Sequence, residues 1–327
     1  MVGRESLDSG LESAAEAAGA GTTEAFKLLS NETRLAILLA LWEAADPGLG
    51  NDELSFTELR DRVGVRQGGR FNYHLDKLVG RFVERTDGGY ALRTRGETLV
   101  RTVIGAAGFD APSIDRTEIE MPCRHCGGRS AVTYEDEWLY RVCTECEGTF
   151  ENNAVQDGCL SGFPLAPAAV TDRTPEELFA VAKYRALQAV HDKVEGICPS
   201  CSGPVNSELA VCVDHDDDSI CETCGRSDPV RVRLACEVCK DWSVVPVATC
   251  LMFHPAVVAF HYDHDISLQW NIDDFATLRR IHDLIVEEVE LDAADPSRLL
   301  LTFRIDGDEL RLTLDRELDV VEVDETG

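Results

Sequence analysis

Thirteen cysteines stand in this 327-residue chain, and ten of them form five Cys-x-x-Cys pairs: Cys123/Cys126, Cys143/Cys146, Cys198/Cys201, Cys221/Cys224 and Cys236/Cys239. No other feature constrains the fold as tightly. A Cys-x-x-Cys pair can turn two thiolates onto one metal ion, and two such pairs fill a tetrahedral site. Residues 1–22 read as a disordered tail of Ala, Gly, Ser and Glu, without the basic start or apolar run of a secretory signal. The pairs are therefore expected to be metal ligands in a reducing cytoplasm rather than disulfides. The longest nearly apolar stretch, Val244 to Phe253, falls well short of the about 20 residues a membrane helix requires.

Spacing divides the cysteines into modules. Cys123, Cys126, Cys143 and Cys146 flank alternating segments around "EDE", which predicts a hairpin and a zinc ribbon over 117–160. His125, between two thiolates, is not expected to be a ligand. A connecting helix over 172–196 follows, with Thr174 as N-cap, Pro175 at the first position, Glu177 completing a capping box and Gly196 as the stop. Over 197–247 the spacing predicts two tandem modules, Cys198/Cys201/Cys212/His215 and Cys221/Cys224/Cys236/Cys239. The intervals between their pairs are ten and eleven residues. A second division joins Cys198/Cys201 to Cys221/Cys224 instead, and His215 is the least regular ligand of the set. Twelve ligands make about three zinc sites, leaving Cys159 and Cys250 as buried thiols. Closed four-ligand sites are structural, since a catalytic zinc keeps an open position. The chain is expected not to be an enzyme.

The first hundred residues follow a different pattern. "LSNETRLAILLAL" predicts a helix capped by Asn31, with Leu35, Leu38, Leu39 and Trp42 as its buried stripe. "SFTELRDRVGV" predicts a second, with a Ser55–Glu58 capping box and Phe56, Leu59 and Val63 inward. A third follows "QGG": Phe71, Leu75 and Leu78 fall on one face, and Arg66, Arg70, Tyr73 and Lys77 on another. "RFVERTDGGYALRT" predicts a tight hairpin, and "RGETLVRTVIGAA" a closing helix. Together "LSNETRLAILLAL", "FNYHLDKLVGRFVER" and "GGYALRTRGETLV" resemble the corresponding segments of ArsR-type winged helix-turn-helix regulators, most of all those common in haloarchaea. The resemblance covers about residues 23–108. It implies double-stranded DNA as partner, a homodimer formed through terminal helices, and a DNA-facing side that includes Arg70, Asn72, Tyr73, His74 and Lys77. Arg66, Arg85 and Arg93 complete the candidate contacts. Metal-sensing relatives carry paired cysteines near the reading helix, but residues 1–122 here contain none.

Charge fits that expectation. The chain has 60 acidic and 31 basic residues, a net charge of −29, with only five lysines among the basic ones. This composition resembles that of proteins from salt-accumulating archaea. Residues 56–101 depart from it, with ten basic against six acidic side chains.

Over 250–327 the pattern predicts a small α/β domain. A short helix starts at Pro255, and an antiparallel pair has Leu299, Leu301, Phe303 and Ile305 facing Leu310, Leu312 and Leu314. His254, His261 and His264 imply no fixed metal geometry. The sequence thus predicts an α+β protein with an N-terminal winged helix, zinc-ribbon modules and a C-terminal antiparallel sheet. Its expected function is transcriptional regulation, with the C-terminal region binding a protein partner or effector. A protein-interaction adaptor whose winged helix does not read DNA is the alternative.

Overall fold

The computed structural model describes residues 20–45, 53–106, 112–149, 156–212, 214–215, 220–226, 229–268, 275–284, 287–291 and 298–326. The expected tail lies outside them as far as residue 19. The chain forms two compact units, Met1–Ala107 and Gly108–Gly327.

The first unit contains helices α1 (Ala20–Leu29), α2 (Glu32–Ala44), α3 (Phe56–Val63) and α4 (Gly68–Leu78), a hairpin of β1 (Val83–Arg85) and β2 (Tyr90–Leu92), and α5 (Thr94–Ala106). Local chemistry sets the boundaries. The Asn31 side chain accepts from the Arg34 amide at the start of α2, and α3 opens with the reciprocal Ser55–Glu58 capping box. Gly64, at φ 74°, closes α3 in the left-handed conformation. Leu54 pairs with Tyr90 beside the hairpin, so the chain approaches closely enough that a Cβ on Gly89 would come within 2.1 Å of the Leu54 carbonyl oxygen.

Ile37, Leu38, Leu41, Leu59, Phe71, Leu75, Leu78, Val83 and Val100 form the core of this unit. The stripe expected on α2 needs correction. Leu38 is buried and Trp42 packs against the core, but Leu35 and Leu39 are exposed and Ile37, Ala40 and Leu41 lie inside. "LAILLALW" is apolar on nearly every side, so helical spacing fits two registers. The side that meets α3, α4 and α5 decides between them.

The second unit begins with an antiparallel sheet of β3 (Ile114–Ile119), β4 (Ser130–Glu135), β5 (Trp138–Cys143) and β6 (Cys159–Pro164). The long helix α6 (Pro175–Val194) has the expected Thr174–Glu177 capping box. A three-stranded sheet follows, of β7 (Val205–Val211), β8 (Val230–Cys236) and β9 (Trp242–Val245). Helices α7 (Val247–Leu251), α8 (Pro255–Asp263) and α9 (Phe275–Leu284) precede the antiparallel order β10 (Glu287–Leu291), β11 (Leu299–Ile305), β12 (Asp308–Leu314) and β13 (Val320–Thr326).

Helix α6 joins two cores. Its first half contributes Leu178, Phe179 and Ala182 to a cluster with Ile119, Val132, Tyr134 and Leu139 of the first sheet. Its last turns place Val190 and Val194 with Val232 and Leu234 of β8 and Leu301, Phe303 and Leu312 of the last sheet. The expected connecting helix is thus a shared wall. No helix among the described residues is long and apolar enough to cross a membrane.

His74 on α4 is buried with the core residues Phe71 and Leu75. Burial, then the charges of Arg34 and Arg70, holds its imidazole below the ordinary value. A base depressed in this way stays neutral when folded, whereas the unfolded chain takes up a proton below about pH 6.5. Its contribution to stability is therefore complete above that pH and is lost as pH falls below it. Burial lowers His254 and His261 as well, and His264 acts in the opposite sense, raised first by its bond to the Phe260 carbonyl, so a bare pH profile mixes all four. Comparing His74→Leu with the wild-type protein in thermal melts across this range isolates His74. The variant is expected to lose less stability than the wild type on acidification.

Candidate functional site

Four Cys-x-x-Cys turns share one backbone device. The amide of the first cysteine donates to the carbonyl five residues on: Cys123 to Gly128 (2.8 Å), Cys198 to Gly203 (3.0 Å), Cys221 to Arg226 (3.0 Å) and Cys236 to Asp241 (2.8 Å). The residue after the second cysteine is left-handed each time, with φ 71° at Gly127, 59° at Ser202, 65° at Gly225 and 61° at Lys240. The fifth turn, Cys143/Cys146, is anchored by the approach to β6, where the Cys143 amide donates to Gly158 at 2.7 Å.

These turns and strands gather three ligand sets: Cys123/Cys126/Cys143/Cys146, Cys198/Cys201/Cys236/Cys239 and Cys212/His215/Cys221/Cys224. Within each, all ligand atoms lie within 4.8 Å of one another. Four sulfurs about 2.3 Å from a central ion stand about 3.8 Å apart. The observed separations fit: 3.7 Å for Cys123–Cys146, 3.6 Å for Cys126–Cys143, 3.6 Å for Cys198–Cys239 and 3.5 Å for Cys201–Cys236. The third set is looser, with 4.0 Å between Cys212 and Cys221 and 3.6 Å from Cys224 to His215 Nδ1. The three clusters are compatible with metal binding.

All twelve sequence-derived ligands are brought together, but neither expected division of the second group is found. The sets are nested, and the reason is the β7–β8 ladder. It runs from Val205 opposite Cys236 to Val211 opposite Val230. Its open end joins Cys198/Cys201, before β7, to Cys236/Cys239, at the end of β8 and just beyond it. Its other end, about 20 Å away at roughly 3.4 Å per residue, leaves Cys212, His215, Cys221 and Cys224 to close the connecting loop.

Thiolates at such separations repel one another, and backbone amides favour some over others. The Cys239 and Val238 amides bond Cys236 Sγ and, against its burial, bring that thiol down to about 6. Cys239 accepts from the Asp241 amide, yet its sulfur neighbours and burial push it up to about 12. Burial likewise pushes Cys146 to about 12. A cation at the centre removes that conflict.

Buried basic groups stand beside the first two clusters. Arg141, with 2% exposure, bonds Ser130 Oγ and the Pro122 carbonyl next to Cys123. Lys193, also at 2%, donates to Asp241 Oδ1 (2.9 Å) and Ser243 Oγ (2.9 Å). The other oxygen of Asp241 accepts from Ser200 Oγ and lies 3.9 Å from Cys198 Sγ. Neither residue stood out in the sequence. His125 Nε2 lies 2.7 Å from Thr149 Oγ1, while the thiols outside the clusters, Cys159 and Cys250, are buried as expected, and burial raises Cys159 to about 11.

In the first unit, Arg66 and the α4 residues Arg70, Asn72, Tyr73 and Lys77 are exposed. Among the described residues neither Arg66 nor Arg70 has a carboxylate partner. Asn72 donates to Asp76 at 2.7 Å, and Lys77 Nζ sits 5.7 Å from the Tyr73 ring. Arg85 bonds the Tyr90 hydroxyl, and Arg93 bonds the Gly80 carbonyl. His74 must leave the list of contact candidates: its spacing from Phe71 and Leu78 puts it on the core side of α4.

The nested arrangement has a simple stoichiometric consequence. Cys198→Ser/Cys239→Ser damages one cluster here, but would damage two in the sequential division. Elemental analysis of purified protein should show about three ions per wild-type chain and the loss of only one in the double variant.

A family model described as domain of unknown function (DUF7351) matches residues 120–320, and another, domain of unknown function (DUF7347), matches residues 22–103. No curated protein and no solved structure matches the chain. The longer family match takes in more than half of the sequence, and the chain therefore belongs to the DUF7351 family.

Proposed function

We propose that the chain is a cytoplasmic DNA-binding transcriptional regulator of ArsR-like winged-helix type, stabilised by three structural zinc ions. The observation that carries this reading is the exposed face of α4. In a chain of net charge −29, it presents Arg70, Asn72, Tyr73 and Lys77, with Arg66 just before the helix and no carboxylate partner for either arginine among the described residues. The order α2, α3, α4, hairpin, α5 is also the order of a winged helix-turn-helix, with α4 as reading helix and β1–β2 as wing. Zinc suits the donors: thiolates dominate, and each cluster offers four ligands and no open position. The second unit would serve an effector or protein partner.

Counterion release loses strength linearly with the logarithm of salt concentration, so a regulator in a salt-rich cytoplasm depends on base-edge contacts. Arg70 can bond guanine with two donors. Asn72 can pair with adenine once it releases Asp76. Arg70→Ala is expected to lose about 1–3 kcal/mol of discrimination between operator and random duplex, measured by competition binding after genome-wide mapping has supplied the operator. If general affinity fell while sequence preference stayed intact, Arg70 would be a phosphate contact.

One reading helix makes few base contacts, so two half-sites roughly 10 base pairs apart call for a homodimer. On the closing helix α5, Leu99 packs against the core, but Val103 and Ile104 are 53% and 44% exposed and available for that interface. Light scattering at multimolar potassium chloride should return a dimer, and Val103→Asp/Ile104→Asp should shift it towards monomer. A wild-type monomer that still bound one asymmetric site tightly would defeat this reading.

A further inference from the structure

The first sheet of the second unit carries, at the β4–β5 hairpin end of one face, exposed side chains that the metal clusters do not use. On β5, Leu139 joins the α6 core, and Arg141 lies over the Phe179 ring of α6. Strand alternation therefore turns Trp138 and Tyr140 to the opposite face. Their rings lie nearly parallel, 5.9 Å apart at 15°, and Trp138 is 38% exposed. Tyr140 pairs across the strands with Gly162, where a Cβ would come 3.0 Å from the tyrosine ring. Glycine thus lets the ring lie against the β6 backbone.

The hairpin tip beside these rings is acidic and strained. Glu135, Asp136 and Glu137 are exposed, and their side chains have no ion-pair partner among the described residues. Asp136 and Glu137 connect β4 to β5 with φ 49° and 64°. A two-residue turn of that geometry strongly favours Asn-Gly, because positive φ is costly for a residue with a long side chain. Aspartate suits the first of these positions, but Glu137 is held at the second against local preference. The tip's influence reaches the aromatic pair: after burial and Cys159, the charges of Asp136 and Glu135 raise the Tyr140 hydroxyl.

We propose that Trp138 and Tyr140, with the Glu135–Glu137 tip, form a docking site for an arginine-bearing segment of a partner protein. A guanidinium is flat, remains charged, stacks on aromatic faces and bonds carboxylates with two parallel donors. This site offers both kinds of contact within one hairpin. Three carboxylates oppose a nucleic acid phosphate, which disfavours base stacking as the use of these rings. The contact on the ring face also resists salt better than an exposed ion pair would.

The test is calorimetric titration of full-length, metal-loaded protein with acetyl-Gly-Arg-Gly-Arg-Gly-amide, its citrulline analogue and an oligothymidine. Saturable binding of the arginine peptide is expected, at least about tenfold tighter than the citrulline peptide. Trp138→Ala should weaken it similarly, while Trp138→Phe keeps most of the affinity. Asp136→Asn/Glu137→Gly relieves the positive-φ strain, so its melting temperature should rise while peptide binding weakens. That variant keeps the test decisive even if Trp138→Ala does not fold. Equal binding of both peptides, no saturable binding, unchanged affinity in the hairpin variant, or preference for the oligothymidine at Trp138 would each overturn the proposal.

Discussion

Two sets of four sulfurs, paired at 3.5–3.7 Å, are the constraint on which the second unit depends. As thiolates they repel, and as thiols they form weak bonds that would not justify so much backbone ordering. A central cation turns the same geometry into the strongest local attraction in the unit. The sheets that the clusters join are small: three or four strands each, with cores that meet mainly through one helix. Domains of this size commonly need metal or disulfides because they bury too little apolar surface alone.

The nested clusters tie sequence-distant segments together more firmly than tandem modules would. Closing Cys198/Cys201 onto Cys236/Cys239 fixes the open end of the β7–β8 hairpin, while the loop cluster staples its far end. The Lys193–Asp241 pair then couples the open-end cluster to the last turn of α6, and α6 carries that coupling to the first sheet. The buried lysine would offset anionic charge that a thiolate-rich site retains even around a metal ion.

Much of this was legible in the chain. Ser55 and Glu58, Thr174 and Glu177, and the alternation of Leu299–Ile305 with Leu310–Leu314 encode local rules, and local rules survive folding. The ligand identities were equally readable from their pairing. Two things were not. The burial register of α2 depends on where its neighbours lie, which an all-apolar helix does not record. The cluster partition depends on strand pairing, although Val230, Val232, Leu234 and Cys236 do alternate with Arg231, Arg233 and Ala235. That period of two was the available signal, obscured by the similar spacing between successive pairs. Lys193 and Arg141 were hidden for another reason: a single basic residue on a helix or strand is normally solvated.

If metal, rather than apolar burial alone, holds the second unit, its removal must loosen the strands beside the clusters. Hydrogen exchange before and after chelation tests it most directly, because amides in β4, β5, β7 and β8 report on the clusters and those of α2 and α4 do not. Chelation should remove protection throughout the second unit's ribbon strands while leaving α2 and α4 protected. Unchanged protection in β8 after complete metal removal would contradict it.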